Sequence, residues 1–184
     1  MNKENIDITN VVLKTDRLVL RATKKEDLYD MYEYAKVEGV GEMAGWPHHK
    51  SIEETKEIIE KFIESKNHFS ILYKEKMIGS LGIEKYNEEE LPEYKDKVGR
   101  EVGIVISKDY QGMGLGQEAI KEVVRYLFEE EKLDFVVAGY FVYNEKSKHM
   151  QEKAGFIMHH KTKVKRLDKE IDEVINIIEK GSDY

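Results

Sequence analysis

Three glycines stand on alternate positions in "QGMGLG", at Gly112, Gly114 and Gly116. They lie at the head of a run with helical spacing, Leu115, Ala119, Ile120, Val123, Val124, Leu127 and Phe128. A helix N-terminus turns unpaired N–H groups and the positive end of its dipole outward, and glycines let an anion come close to that backbone. The chemistry offered is phosphate binding, although a flexible strand-to-helix turn would use the same residues. Two phosphate signatures do not fit. A P-loop needs Lys followed by Ser or Thr after its last glycine, where Gln117 and Glu118 stand. The dinucleotide fingerprint needs its third glycine at the position held by Gln117. Cysteine is absent, which excludes disulfides, thiolate metal sites and a cysteine nucleophile. His48/His49 and His159/His160 show no carboxylate or cysteine at metal-ligand spacing, so no metal is expected.

Strands and helices must hold that loop, and the chain around it alternates between their periods. "RLVLRA" (17–22) alternates as a strand, and Thr23 with Glu26 reads as a capping box opening a helix through Leu28, Met31, Tyr32 and Ala35. After the Gly- and Pro-broken stretch 39–47, Ser51 with Glu54 reads as a second box, for a helix carrying Ile58, Ile59, Phe62 and Ile63. "HFSILY" and "MIGSLGIEKY" predict a hairpin around 74–76. The charged, proline-containing segment 87–97 reads as a solvated loop without chemistry. "REVGIVIS" (100–107) and "DFVVAGYFV" are strands flanking the long helix, and "NEKSKHMQEKA" is a short helix stopped at Gly155. "FIMHHKTKVKR" and "EIDEVINII" read as strands round a "LDKE" turn, the last of them open to a helical reading.

Bulk properties narrow the function classes. At 184 residues, 40% hydrophobic and 36% charged, the chain fits one domain, 1–184, with its core over about 14–180. A net charge of −7 argues against nucleic acid as the main partner and suits a basic substrate, though acidity also serves solubility alone. "MNKENIDITN" has no apolar leader core and no run is long enough to span a bilayer, so the expectation is a cytoplasmic protein with no membrane partner, as monomer or homodimer.

Gln111-x-x-Gly114-x-Gly116, after a β-run and before a long helix, resembles the pyrophosphate loop of the GCN5-related N-acetyltransferases (GNAT), which bind acetyl-CoA. "TDRLVLRA" (15–22) and "NEKSKHMQEKAGF" (144–156) are similar to the opening strand and the Asn-x-x-Ser helix of its ribosomal-protein alanine and serine acetyltransferase branch. The resemblance implies a mixed α/β (α+β) fold with a mostly antiparallel sheet of about seven strands and about four helices, splayed between "REVGIVIS" and "DFVVAGYFV". It places the pantetheine arm of acetyl-CoA along Ile104, Val105 and Ile106 and the pyrophosphate on the amides of Gln111, Gly112, Met113, Gly114, Leu115, Gly116 and Gln117. Asn144 and Ser147 become cofactor contacts.

Acetyl transfer needs an unprotonated amine, and a lysine amine has a pKa of ~10.4 and an α-amine ~8, so a base is required. Many relatives carry a carboxylate at the position of Glu101, which implies that role here; a solvated strand-end charge paired with Arg100 is the alternative. Gly103 then leaves room for substrate, or is a bulge. Relatives commonly place an acidic tyrosine where Gln151 stands, so Ser147 or solvent is left to protonate the departing thiolate. Trp46 is a wall of the acceptor cleft or a buried anchor. The acceptor could be a protein N-terminus, which the branch favours, a lysine, or a small amine such as a polyamine or aminoglycoside. A non-catalytic acetyl-CoA sensor and a nucleotide-phosphate-binding enzyme are the other classes.

Overall fold

Alternating apolar residues build one eight-stranded sheet. The computed structural model describes residues 1–2 and 4–182. Strands β1 (Val12–Lys14), β2 (Leu18–Ala22), β3 (His68–Tyr73), β4 (Lys76–Glu84), β5 (Gly99–Ile106), β6 (Phe135–Phe141), β7 (Ile157–Arg166) and β8 (Lys169–Glu179) run in the order β1-β2-β3-β4-β5-β6-β8-β7. Every pairing is antiparallel except β5 with β6. Helices α1 (Leu28–Ala35), α2 (Ile52–Ser65), α3 (Leu115–Glu129) and α4 (Glu145–Lys153) complete the expected mixed class. β1, too short to show alternation, is the strand beyond the seven read from the sequence.

The β3–β4 and β7–β8 hairpins turn on paired left-handed residues, Lys74 and Glu75 (φ 49° and 66°) and Leu167 and Asp168 (φ 53° and 57°). That conformation matches the twist of the flanking strands and fixes the register, so the final segment is a strand, not a helix. The first capping box is corrected. Thr23 is buried against the His68 carbonyl, and the carboxylate of Asp27 accepts from Lys24 N at 2.9 Å. Asp27 is held there by a bidentate bond from Arg21 and by Ser70 Oγ, so tertiary partners override a box of equivalent spacing. At α2, Ser51 Oγ does cap Glu54 N at 3.2 Å, but the Glu54 carboxylate accepts from Lys50 N instead of closing the box.

Three apolar clusters share the work. The largest joins α3, with Phe156 and partly buried Met150, to one sheet face through Val102, Val136, Ala138 and Ile178, and it includes Ile6 and Ile8. On the opposite face, α1 and α2 pack around Met31, Tyr34, Ile59 and Met77. The third cluster corrects the reading of 87–97 as a plain solvated loop. Leu91 and Tyr94 are buried there, covering Phe135, Val137, Ile175 and Ile177. Two apolar residues three positions apart stand out little among charged neighbours, and removing a buried side chain such as Leu91 costs about 2–5 kcal/mol.

Candidate active site at the strand splay

β5 and β6 pair only over Gly99↔Phe135, Arg100↔Val136 and Glu101↔Val137, and no pairing joins them beyond Glu101. The expected splay therefore opens at Glu101. On its other edge β5 is paired with β4 as far as Ile106. Ser107 N donates to Ile78 O of β4 at 2.7 Å, so by alternation Val105 and Gly103 turn their peptide groups to β4. Ile104 and Ile106 turn theirs into the splay. Of the three residues assigned to the pantetheine arm, these two present backbone groups to it, and the Ile106 carbonyl is already taken by Gln111 Nε2 at 2.9 Å.

The glycine loop closes the top of the splay. Gly112 and Gly114 hold left-handed φ of 80° and 77°, and Gly114 is the N-cap of α3. Glu118 is the first residue whose amide donates back into the helix, to Gly114 O at 3.0 Å. The amides of Leu115, Gly116 and Gln117 are thus left pointing out of the helix N-terminus, the arrangement an anion needs. Gly116 has a packing role as well, because a Cβ there would lie 2.8 Å from Met150 Sδ of α4. Met113 is exposed, and Lys146 Nζ donates to Gln111 Oε1 at 3.0 Å, bringing a positive charge beside the loop.

A partner set that spacing could not reveal braces this loop. Arg17 donates from Nη1 to the Met113 carbonyl at 2.9 Å and from Nε to Glu118 at 2.7 Å. Glu118 also accepts from Thr15 Oγ1 and Arg17 N, which holds its carboxyl below the usual range despite partial burial. The "TDRL" segment is therefore a clamp on the loop.

Asn144 caps α4 by accepting from Ser147 N at 3.1 Å, and its Nδ2 donates to the Met43 carbonyl at 3.3 Å. Ser147 Oγ accepts from Gln151 Nε2 at 3.2 Å. Gln151 is buried, donating also to Gly139 O and accepting from buried Asn176 Nδ2 at 3.0 Å, so this position carries a structural amide. His149 and Tyr143 are exposed, while Tyr140 is buried.

Glu101 stands at the vertex of the splay, on the sheet face that bears the third cluster. Arg100 is not its partner: it is 2% exposed and donates to Gly99 O and Glu4 O. Among the described residues the Glu101 side chain makes no hydrogen bond or ion pair. Burial pushes its carboxyl up to about 7, with the Glu173, Glu90 and Glu84 charges adding to the shift and Arg166 opposing it. Beyond it on the same face lies Gly103, exposed and with open space where a Cβ would stand. Gly82, directly opposite Gly103, is buried under the His68 ring, and Gly139 of β6 continues the floor on the other side.

Two segments wall the floor. The turn Glu42–Ala44 lies against β5 and β6, with Gly45 against Phe141 and Arg166. Trp46 is half-buried, tilted on His49 at 5.2 Å and packed on the α1/α2 cluster together with Val105, so it anchors the wall. The other wall is segment 87–97, tied to β7 by His159 Nε2···Glu93 Oε1 at 2.6 Å and His160 Nε2···Glu90 Oε2 at 3.2 Å. His48 likewise meets Glu42 Oε1 at 2.7 Å. These histidines do have carboxylate partners, contrary to the spacing argument, although among the described residues no group of three or more candidate ligands could hold a metal. No helix among them is long and apolar enough to cross a membrane.

Comparison with known proteins places this architecture. Residues 17–157 match the acetyltransferase (GNAT) domain family. YdaF of Bacillus subtilis (strain 168), provisionally named a ribosomal N-acetyltransferase, is 38% identical over 64 residues, which cover 34% of this chain and 35% of YdaF. The match thus spans about a third of that relative's length. A GNAT-family acetyltransferase from Bacillus anthracis superposes with a TM-score of 0.81 at 21% identity, over 92% of this chain and 98% of the other. Spermidine N-acetyltransferase from Vibrio cholerae, solved with CoA and spermine, gives 0.73 at 21% identity over 91% and 98%. At these identities the superpositions speak for the fold.

Proposed function

Because the chain belongs to the GNAT acetyltransferase family, we propose that it is an acetyl-CoA-dependent N-acetyltransferase that passes an acetyl group directly to a primary amine, a protein N-terminus in the first instance. The observation that carries this reading is Glu101, half-buried at the splay, with a carboxyl at about 7, beside the open floor at Gly103. Acetyl-CoA supplies the acetyl group as a thioester. The α3 N-terminus and the amides of Gly112 to Gln117 hold its pyrophosphate, the Gln111 amide being taken by the Lys108 carbonyl; Ile104 and Ile106 offer backbone groups to its arm, and Asn144 and Ser147 flank it. Glu101 takes the proton of the acceptor ammonium, directly or through water, as the amine nitrogen attacks the carbonyl carbon. The carbon–sulfur bond then breaks. Ser147, whose oxygen accepts from Gln151, keeps its own O–H free to donate to the departing thiolate.

Release of free thiol from acetyl-CoA over peptide N-termini, polyamines and aminoglycosides tests the reading. Turnover with an amine supports it, and none across the panel leaves a non-catalytic acetyl-CoA-binding module. With no cysteine to carry the acetyl group, initial-velocity lines should intersect; parallel lines with a trapped acetyl-enzyme would overturn direct transfer. Name-level similarity to a ribosomal acetyltransferase supports the N-terminus, and fold similarity to a spermidine enzyme supports a small amine as the second reading.

The clamp gives a separate expectation. Arg17→Ala should weaken CoA binding severalfold, because the Met113 carbonyl loses its anchor, with little change in thermal stability because Arg17 is exposed and Glu118 keeps its bond from Thr15. Calorimetry on the folded variant decides: wild-type affinity would mean that the loop holds itself.

A further inference from the structure

We propose that Glu173 selects the acceptor by receiving a second cationic group, carried a few bonds from the amine that Glu101 deprotonates. The favoured acceptors are then dications: a diamine, or a peptide N-terminus followed at once by a basic residue. This rests on the acetyltransferase reading and concerns the acceptor half of the same site.

The register brings the two carboxylates to one floor. Glu101 pairs with Val137 of β6, and Gly139 lies two residues further on the same face. Across the sheet, Gly139 pairs with Ile175 of β8 and Phe141 with Glu173, which puts Glu173 on that face too. Its side chain leans back over Gly139, where a Cβ would lie 2.5 Å from Glu173 Oε1. The carboxylate occupies the space that a side chain at 139 would fill. Glu101 therefore approaches the open floor from β5 and Glu173 from β8, and Glu173 is the strongest of the charges acting on Glu101.

The Glu173 carboxylate has no structural partner. Its backbone serves the β8 ladder, but among the described residues its side chain caps no helix and makes no hydrogen bond or ion pair. Burial raises its pKa, Glu90 adds to the effect, and Arg166 and His160 oppose it. Arg166 is exposed and outside ion-pair distance, with Nη1 donating to Lys165 O at 3.1 Å, while His160 is engaged with Glu90. A half-buried carboxylate beside a base that must receive an amine, with Arg166 and His160 acting on it only from a distance, keeps no direct partner when the acceptor is a monocation. An ammonium or guanidinium group would give it a charge-assisted hydrogen bond, worth about ten- to hundredfold in affinity.

Calorimetric titration of the full chain with diaminobutane and with butylamine, in the presence of CoA, tests the proposal, alongside the peptide amides Ala-Lys-Ala and Ala-Ala-Ala. The dication of at least one pair should bind wild type about tenfold or more tightly than its monocationic partner, and Glu173→Gln should erase that gap without altering CoA affinity. The pair showing the gap identifies the source of the second charge, small amine or peptide. Equal binding within both pairs, or a gap that survives Glu173→Gln, overturns the proposal. Because amine binding is read directly, these outcomes stand apart from thiol release, whose failure would instead remove the acetyltransferase reading.

Discussion

Glu101→Gln is expected to lower kcat about 10²-fold or more, the usual range for loss of a general base, while making the protein more stable at alkaline pH. Both effects come from the same burial. The folded carboxyl titrates at about 7 against an ordinary value of 4.5, so between those values the folded state binds more protons than the unfolded one. Stability therefore falls as pH rises through that window. Below it the carboxyl is protonated in both states, and above it the full penalty is present, on the order of 1–3 kcal/mol. Glutamine keeps the shape and removes the charge, so the variant's Tm should exceed that of wild type by several degrees at pH ~8 and match it at pH ~4. In wild type, kcat/KM should rise with an apparent pKa near 7 as Glu101 ionises, on top of the rise in free amine. The variant should keep only the second rise. A folded Glu101→Gln with unchanged kcat and lowered Tm at alkaline pH would make Glu101 a structural charge.

Local pattern carried the sequence reading a long way, and distance in the chain marks where it stopped. Strand alternation and the glycine-to-helix junction are properties of a dozen neighbouring residues, so β5, the loop and α3 were legible together. The cap of the turn that leads into α1 was not. Thr23 and Asp27 both offer a suitable oxygen, and the choice falls to Arg21 and to Ser70 on another strand. Segment 87–97 looked inert because Leu91 and Tyr94 sit among charges, and only the apolar ends of β6 and β8 reveal what they cover. The carboxylate at 101 could be placed by resemblance, whereas its raised pKa depends on Glu173 and Glu90, brought together by the β6–β8 pairing and by the wall that β7 holds. Arg17 and Met113 meet across a similar separation. Such contacts have no periodicity to read.

Gly103→Val should separate stability from function in the opposite structural sense, by adding bulk where the fold has none. The residue lies mid-strand, its backbone is not in the left-handed region, and a Cβ there meets nothing within 4 Å. A β-branched residue in a strand relieves the entropic cost of glycine, so the variant should be as stable as wild type or more so, by about 0.5–1 kcal/mol. CoA affinity should hold, because Gly103 turns its peptide groups to β4 while the splay is served by Ile104 and Ile106. The added methyl groups, however, stand on the floor beside Glu101, where the acceptor nitrogen must come within hydrogen-bond reach of the base. Displacing that nitrogen by ~1 Å costs up to about 10²-fold in turnover. The expected result is a well-folded protein with wild-type CoA binding and a loss of at least about tenfold in kcat/KM for the amine, larger for bulky acceptors than for slender ones. Unchanged amine kinetics would put the acceptor elsewhere than over Gly103 and remove this floor from the site; a matching loss of CoA affinity would assign the floor to the cofactor.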